Sequence, residues 1–285
     1  MRLKNMLMMA SLSVLALGSF SCKKNNPASS SSTTDLQTTT TLSADMAVSS
    51  NLNADAENIL NQVTVDNNLS GNTPTGVNGT AGYLPSCATV TVTPAQGFPK
   101  DITIDFGTSC TSPSGIVRSG IIHISLSDSL RKAGSVAVMT FNNYYVSGFK
   151  KEGTITWTNN RQDTTNSWIR TCQGGKITAP DGSYWLHSGT DTVVQISGNN
   201  TPNNITDNVF LTTGSTTVTN AAGVSRTATI ITPLEKQVAC DNIDKGSVKI
   251  QGPSHYAIID YGDGTCDRLA TLSIDGGTPF QILLR

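Results

Sequence analysis

The sequence predicts an all-β protein: an antiparallel meander forming a β-sandwich or a curled, barrel-like sheet, with one short N-terminal helix. Three observations lead there. Beyond Tyr83, apolar residues recur with period 2 in short segments such as TVTVT at 89–93, DITIDF at 101–106, SGIIHISL at 119–126, DTVVQI at 191–196 and ATLSI at 270–274. Those segments are separated by turn signals, PDG at 180–182, AAG at 221–223 and DGG at 275–277. Thr, Ser, Asn and Gly abound, while Glu occurs only at 57, 152 and 235, a composition that disfavours long helices. No long helical pattern interrupts the strands, so parallel βαβ units are not expected.

The chain opens with Arg2 and Lys4 ahead of an apolar run from Met6 to Gly18 and then SFSC, ending at Cys22. The run is too short to span a bilayer and sits where the apolar region of an export signal belongs. Ser21, Cys22 and the polar tract KKNNPASSSSTT that follows resemble a bacterial lipoprotein signal, in which the cysteine is acylated; Ser19 stands where an aliphatic residue is usual. Residues 1–21 are therefore expected to be a signal peptide, and 22–50 a lipidated Cys22 followed by a flexible Ser/Thr-rich tether. Residues 51–82 are expected to hold a short helix and a loop. The helix rests on Ala56, Ile59, Leu60 and Val63, spaced i, i+3, i+4, i+7 behind Asp55, and the loop on GNTPTGVNGTAG, Gly71 to Gly82. Residues 83–285 form the antiparallel β region, as one domain or two subdomains.

Two phrases in this region repeat: ITIDFGTSC from Ile102 and IIDYGDGTC from Ile258. Cys87 precedes one strand-turn-strand unit that ends at Cys110, and Cys240 precedes another that ends at Cys266. A hairpin sets the start of its first strand beside the end of its second, which suggests Cys87–Cys110 and Cys240–Cys266 disulfides in an oxidising compartment. Cysteine order alone leaves other pairings open. Cys172 would remain unpaired, as a small buried hydrophobe or, alternatively, a reactive thiol.

Net charge is −1 and charged residues make up 14% of the chain, so no basic stripe points to nucleic acid. The three histidines lack metal-ligand spacing, and His123 alternates against Ile122 and Ile124, which sets it on the wet face of its strand. Nucleophile-elbow, zinc-protease and phosphate-loop motifs are absent, so neither catalysis nor a cofactor is expected. Asp260, Asp263 and Asp267 offer carboxylates to a calcium ion, but DYGDG resembles the tight turn of PKD-type β domains, and the turn reading is preferred. Trp157 shares a face with Ile155 and reads as core. Tyr184 and Trp185 point opposite ways, so one of them is a candidate ring for stacking on a sugar.

The stretch from Cys87 through GIVRSGIIHIS and SVAVMTFNNYYVSGFKKEGTITWTN, with the closing IIDYGDGTCDRLATLSIDGG, resembles an uncharacterised family of Bacteroidota lipoproteins. The resemblance implies location and fold rather than activity: a lipid anchor in the outer membrane, on its periplasmic or cell-surface face. It also implies an O-glycosylation sequon of Asp, Ser or Thr and a small or aliphatic residue, which Ser129, Thr164 and Thr192 match. The expected role is a binding or interaction module whose partner is a glycan or an envelope protein. The alternatives are a structural envelope lipoprotein without a soluble ligand and a hydrolase.

Overall fold

The computed structural model describes residues 27–71, 83–162, 165–201 and 204–284. One helix, α1 (Pro27–Asp66), precedes fourteen strands: β1 (Thr89–Thr93), β2 (Lys100–Asp105), β3 (Cys110–Thr111), β4 (Val117–Leu126), β5 (Val136–Val146), β6 (Phe149–Asn159), β7 (Ser167–Thr178), β8 (Tyr184–Ser197), β9 (Val209–Asn220), β10 (Ser225–Gln237), β11 (Lys245–Gln251), β12 (Tyr256–Asp263), β13 (Leu269–Ile274) and β14 (Phe280–Leu283). All belong to one antiparallel sheet in which each strand pairs with the next, except that β3 leaves the path and pairs only with β4. The predicted meander is therefore the observed one, and its strands form a single sheet.

The sheet curls around the helix. Within Ser49–Glu57, about 12 Å of helix at 1.5 Å per residue, side chains bond to Arg118 on β4, Lys151 on β6, Arg170 on β7, Trp185 on β8 and the backbone of Ile243 just before β11. From β4 to β11 a flat sheet would measure about 34 Å at roughly 4.8 Å per strand. Only a strongly curved sheet brings those strands to so short a stretch of helix. Every residue from Ser49 to Val65 is buried, so the helix has no solvent face there. The curl is not closed, because β1 and β14 end the pairing path without joining each other.

Alternation along each strand sets the two faces. β8 directs Trp185, His187, Asp191, Val193 and Gln195 inward and Leu186, Ser188, Thr190 and Thr192 outward. β12 buries Ala257, Ile259 and Tyr261 and exposes Asp260. Curvature is helped by bulges such as the one between Ser119 and Ile121, where Gly120 adopts φ +82° and a Cβ would sit 2.0 Å from the carbonyl oxygen of Asn143.

Two sequence expectations change. The segment assigned as a flexible tether, 22–50, is helical from Pro27, and Leu42, Met46 and Ala47 are core residues; the short helix expected after residue 51 is the C-terminal part of α1. Residues 22–26, with Cys22, and the signal segment 1–21 lie outside the described residues, as does the predicted loop from 72 to 82. The reason is chemical: Ser43, Ser49, Asn51, Asn61 and Thr64 each donate a side-chain hydrogen bond to the carbonyl four residues back, which lets a polar helix be buried without an apolar stripe.

Both predicted disulfides are present, Cys87–Cys110 with Cα atoms 5.6 Å apart and Cys240–Cys266 with Cα atoms 5.1 Å apart. They fit an oxidising, exported environment. Among the described residues no helix is long and apolar enough to cross a membrane.

Candidate functional site

The interior is charged. Arg118 Nη2 lies 2.6 Å from Asp55 Oδ1, and Arg170 reaches Glu57 at 3.1 Å and Asp191 at 2.8 Å. Arg226 pairs with Asp35, and Lys151 Nζ donates to Asn53 Oδ1 at 2.8 Å. Apart from Arg170–Asp191, which joins β7 to β8, each pair joins α1 to an inward strand residue and locks the helix into the curl. Burial pushes the Glu57 carboxyl up to about 7 against the opposing pull of Arg170, and lowers Lys151 to about 8.

Cys172 is buried with its Sγ 3.5 Å from His187 Nδ1. Burial raises the thiol and lowers the imidazole to about 3, its charge further disfavoured by Lys151 and Arg170. A neutral imidazole beside a protonated, enclosed thiol is a packed pair, not an activated nucleophile. The structure thus favours the structural reading of Cys172 over the reactive one.

The aromatic candidates separate. Trp157, Trp168 and Trp185 are all core residues, and Trp185 Nε1 donates to Ser49 Oγ at 2.8 Å. Trp185 therefore cannot stack on a ligand, which corrects its candidacy; it shares the inward face with His187 and Asp191, a polar face that hid its direction in the sequence. Tyr184 is 39% exposed, with Lys176 Nζ 4.7 Å from its ring centre.

The aspartate candidates are turn formers. Asp260 accepts from the N–H of Gly262, Asp263 from Thr265 and Asp267 from Leu269. No group of three acidic, histidine or cysteine side chains among the described residues is placed to hold a metal. His123 is exposed, 3.2 Å from Thr103 Oγ1, as its alternation predicts. Of the candidate glycosylation residues, Ser129 and Thr192 are half-buried and Thr164 lies outside the described residues.

The surface feature the sequence reading missed is the outer face of β6 to β10. Register places Thr156, Thr171, Thr190, Ser215 and Thr229 in one row across five strands, with the Thr171 and Thr190 hydroxyls 3.3 Å apart. A second row runs Ser188, Thr217, Thr227, and a third includes Thr192 and Thr213. No formal charge stands on the outer face within these rows. Charges stand outside these rows, with Lys249 and Lys245 on β11, Glu235 at the end of β10, and the Lys150–Glu152–Lys176 group at the far end of β6 and β7. The signal was present in the sequence as Thr at alternate positions of TITWT, TDT, STT and TAT; what was missing was the register that stacks them.

A smaller cavity of about 190 Å³ opens at one end of the curl. Its walls come from Ser112 and Ile116, next to Cys110, from Val238 and Ala239, next to Cys240, and from Ile205. The two disulfides thus stiffen opposite sides of one opening. Tyr83 stacks over the Arg118 guanidinium at its base, 5.1 Å away, and donates to Asp55 Oδ1 at 2.5 Å.

Comparison with protein-family models, with curated proteins and with solved structures gives no match to the chain. The class defined by fold and surface is an open, curled antiparallel sheet wrapped on a polar helix, with uncharged hydroxyl rows across the outer face of β6 to β10.

Proposed function

We propose that the chain is an exported, lipid-anchored protein of the cell envelope that acts as a non-enzymatic binding module for neutral polysaccharide. The outer face of β6 to β10 supports the ligand class. Thr is a good strand former, so one exposed Thr needs no functional account. Soluble sheets nevertheless usually intersperse lysine and glutamate on their wet faces, which protects them from unwanted association. Here the rows carry hydroxyls and methyls only, repeating every ~4.8 Å across the strands. That repeat is close to the advance per sugar of an extended hexose chain, and the uncharged face matches a partner that is itself uncharged, hydroxylated and partly apolar. Anchoring is supported by the Ser21-Cys22 junction, and export by the two disulfides.

The test is co-sedimentation of the protein with insoluble neutral polysaccharides, comparing wild type with Thr190→Lys and Ser215→Lys. Both side chains point away from the core, so folding should be preserved. Retention by at least one neutral polymer, lost at least tenfold in both variants, is expected. Equal retention of the lysine variants, or no retention of the wild type on any polymer, overturns the reading. Labelling by a fatty acid that disappears in Cys22→Ser tests the anchor separately.

A further inference from the structure

The β14 edge of the sheet carries a feature independent of the hydroxyl face. Strand β14 pairs with β13 in the register Leu269↔Leu283, Ala270↔Ile282, Thr271↔Gln281 and Leu272↔Phe280, and the Leu284 N–H donates to the Arg268 carbonyl at 3.0 Å. Bonded and non-bonded pairs alternate along an antiparallel ladder. Because 268 and 284 form a bonded pair, so do 270 with 282 and 272 with 280. The N–H and C=O groups of Gln281 and Leu283 therefore point at the edge of the sheet, where none of the described strands pairs.

This edge is short, four residues of strand between Pro279 and Arg285, but the stretch between those two residues is otherwise unguarded. Phe280 to Leu284 contains no charge, no proline and no bulge. Leu283 is 69% exposed and Phe280 47%, and Leu269, opposite Leu283, is exposed on the same outer face. The other edge differs in its side chains: β1 exposes Thr89, Thr91 and Thr93 rather than large apolar residues.

We propose that β14 is a self-association edge, where two copies of the chain pair antiparallel about a two-fold axis at Ile282. The free main-chain groups at 281 and 283 lie symmetrically about residue 282, so the stretch is its own complement. Pairing sets Gln281 of one copy opposite Leu283 of the other, with four main-chain hydrogen bonds, and covers Leu283 and Phe280 in both. No charge between Phe280 and Leu284 repels the second copy or selects a charged partner. The interface is isologous and closes on itself as a dimer, rather than growing as a fibre.

Sedimentation velocity of the full-length chain, from low micromolar to submillimolar concentration, tests this. The wild type should pass from monomer to dimer. Leu283→Pro removes an edge-facing N–H that the β13–β14 ladder does not use, and Leu283→Asp keeps the backbone but sets a charge in the contact. Each should weaken dimerisation at least tenfold with an unchanged circular dichroism spectrum. A wild type that stays monomeric throughout, or a dimer that persists in both variants, overturns the proposal. Neither result bears on polysaccharide retention, which uses other strands.

Discussion

Arg118 on β4 holds Asp55 of the helix at 2.6 Å, with the two side chains 1% and 2% exposed and 63 residues apart in the chain. A charge this deep is tolerable only while its partner is present. Asp55→Leu alone, or Arg118→Met alone, should therefore cost about 3–5 kcal/mol, the range for breaking a buried pair. The double replacement Asp55→Leu, Arg118→Met should recover most of that loss. Urea denaturation of the four proteins in the cycle measures the coupling.

Stability should also depend on pH through Glu57. Burial raises its carboxyl from 4.5 to about 7, so the folded chain binds this proton more tightly than the unfolded chain does. The stability from that proton is complete below pH 4.5 and is lost as pH rises through 7. Asp45, raised to about 7 by burial and then by Asp181, adds a loss of the same sign. Glu57→Gln should flatten the dependence between pH 4.5 and 7, and adding Asp45→Asn should flatten it further. Urea unfolding across that range is the measurement.

Trp185 should behave as a core residue rather than a ligand contact. Trp185→Ala is expected to cost about 3–5 kcal/mol as a large-to-small core change. Ser49→Ala, which leaves the indole N–H without its partner, should cost about 1–3 kcal/mol. Polysaccharide retention by Ser49→Ala should equal that of wild type, measured where both proteins are folded.

The disulfides should stabilise by restricting the unfolded chain. With sequence separations of 23 and 26, each loop corresponds to about 3.5 kcal/mol in the loop-entropy model. The paired replacement Cys87→Ser, Cys110→Ser should lower unfolding free energy by that order, and so should Cys240→Ser, Cys266→Ser. Denaturation of each double variant beside wild type gives the answer.

Strands were legible because their inward positions hold residues such as Ile102, Ile104, Ile122 and Ile124, which announce period 2. The cysteine pairing was legible because a hairpin fixes which ends meet. The first half of α1 was not legible. Its burial is met by the hydrogen bond from Ser43 to the helix backbone and by Arg226, which pairs with Asp35 and donates to Thr39, a partner far away in sequence. Trp185 was ambiguous because its strand faces inward with His187, Asp191 and Gln195, polar residues that normally mark the wet side. The hydroxyl rows needed strand register, which alternation does not contain.

The central structural claim is that a polar N-terminal helix is the core around which the sheet curls. Hydrogen exchange of backbone amides, resolved along the helix, tests it most directly. The prediction is that amides from Ser49 to Val65 exchange as slowly as those of the inner strands β7 to β9. Exchange of that stretch within seconds, while the strands stay protected, would contradict it.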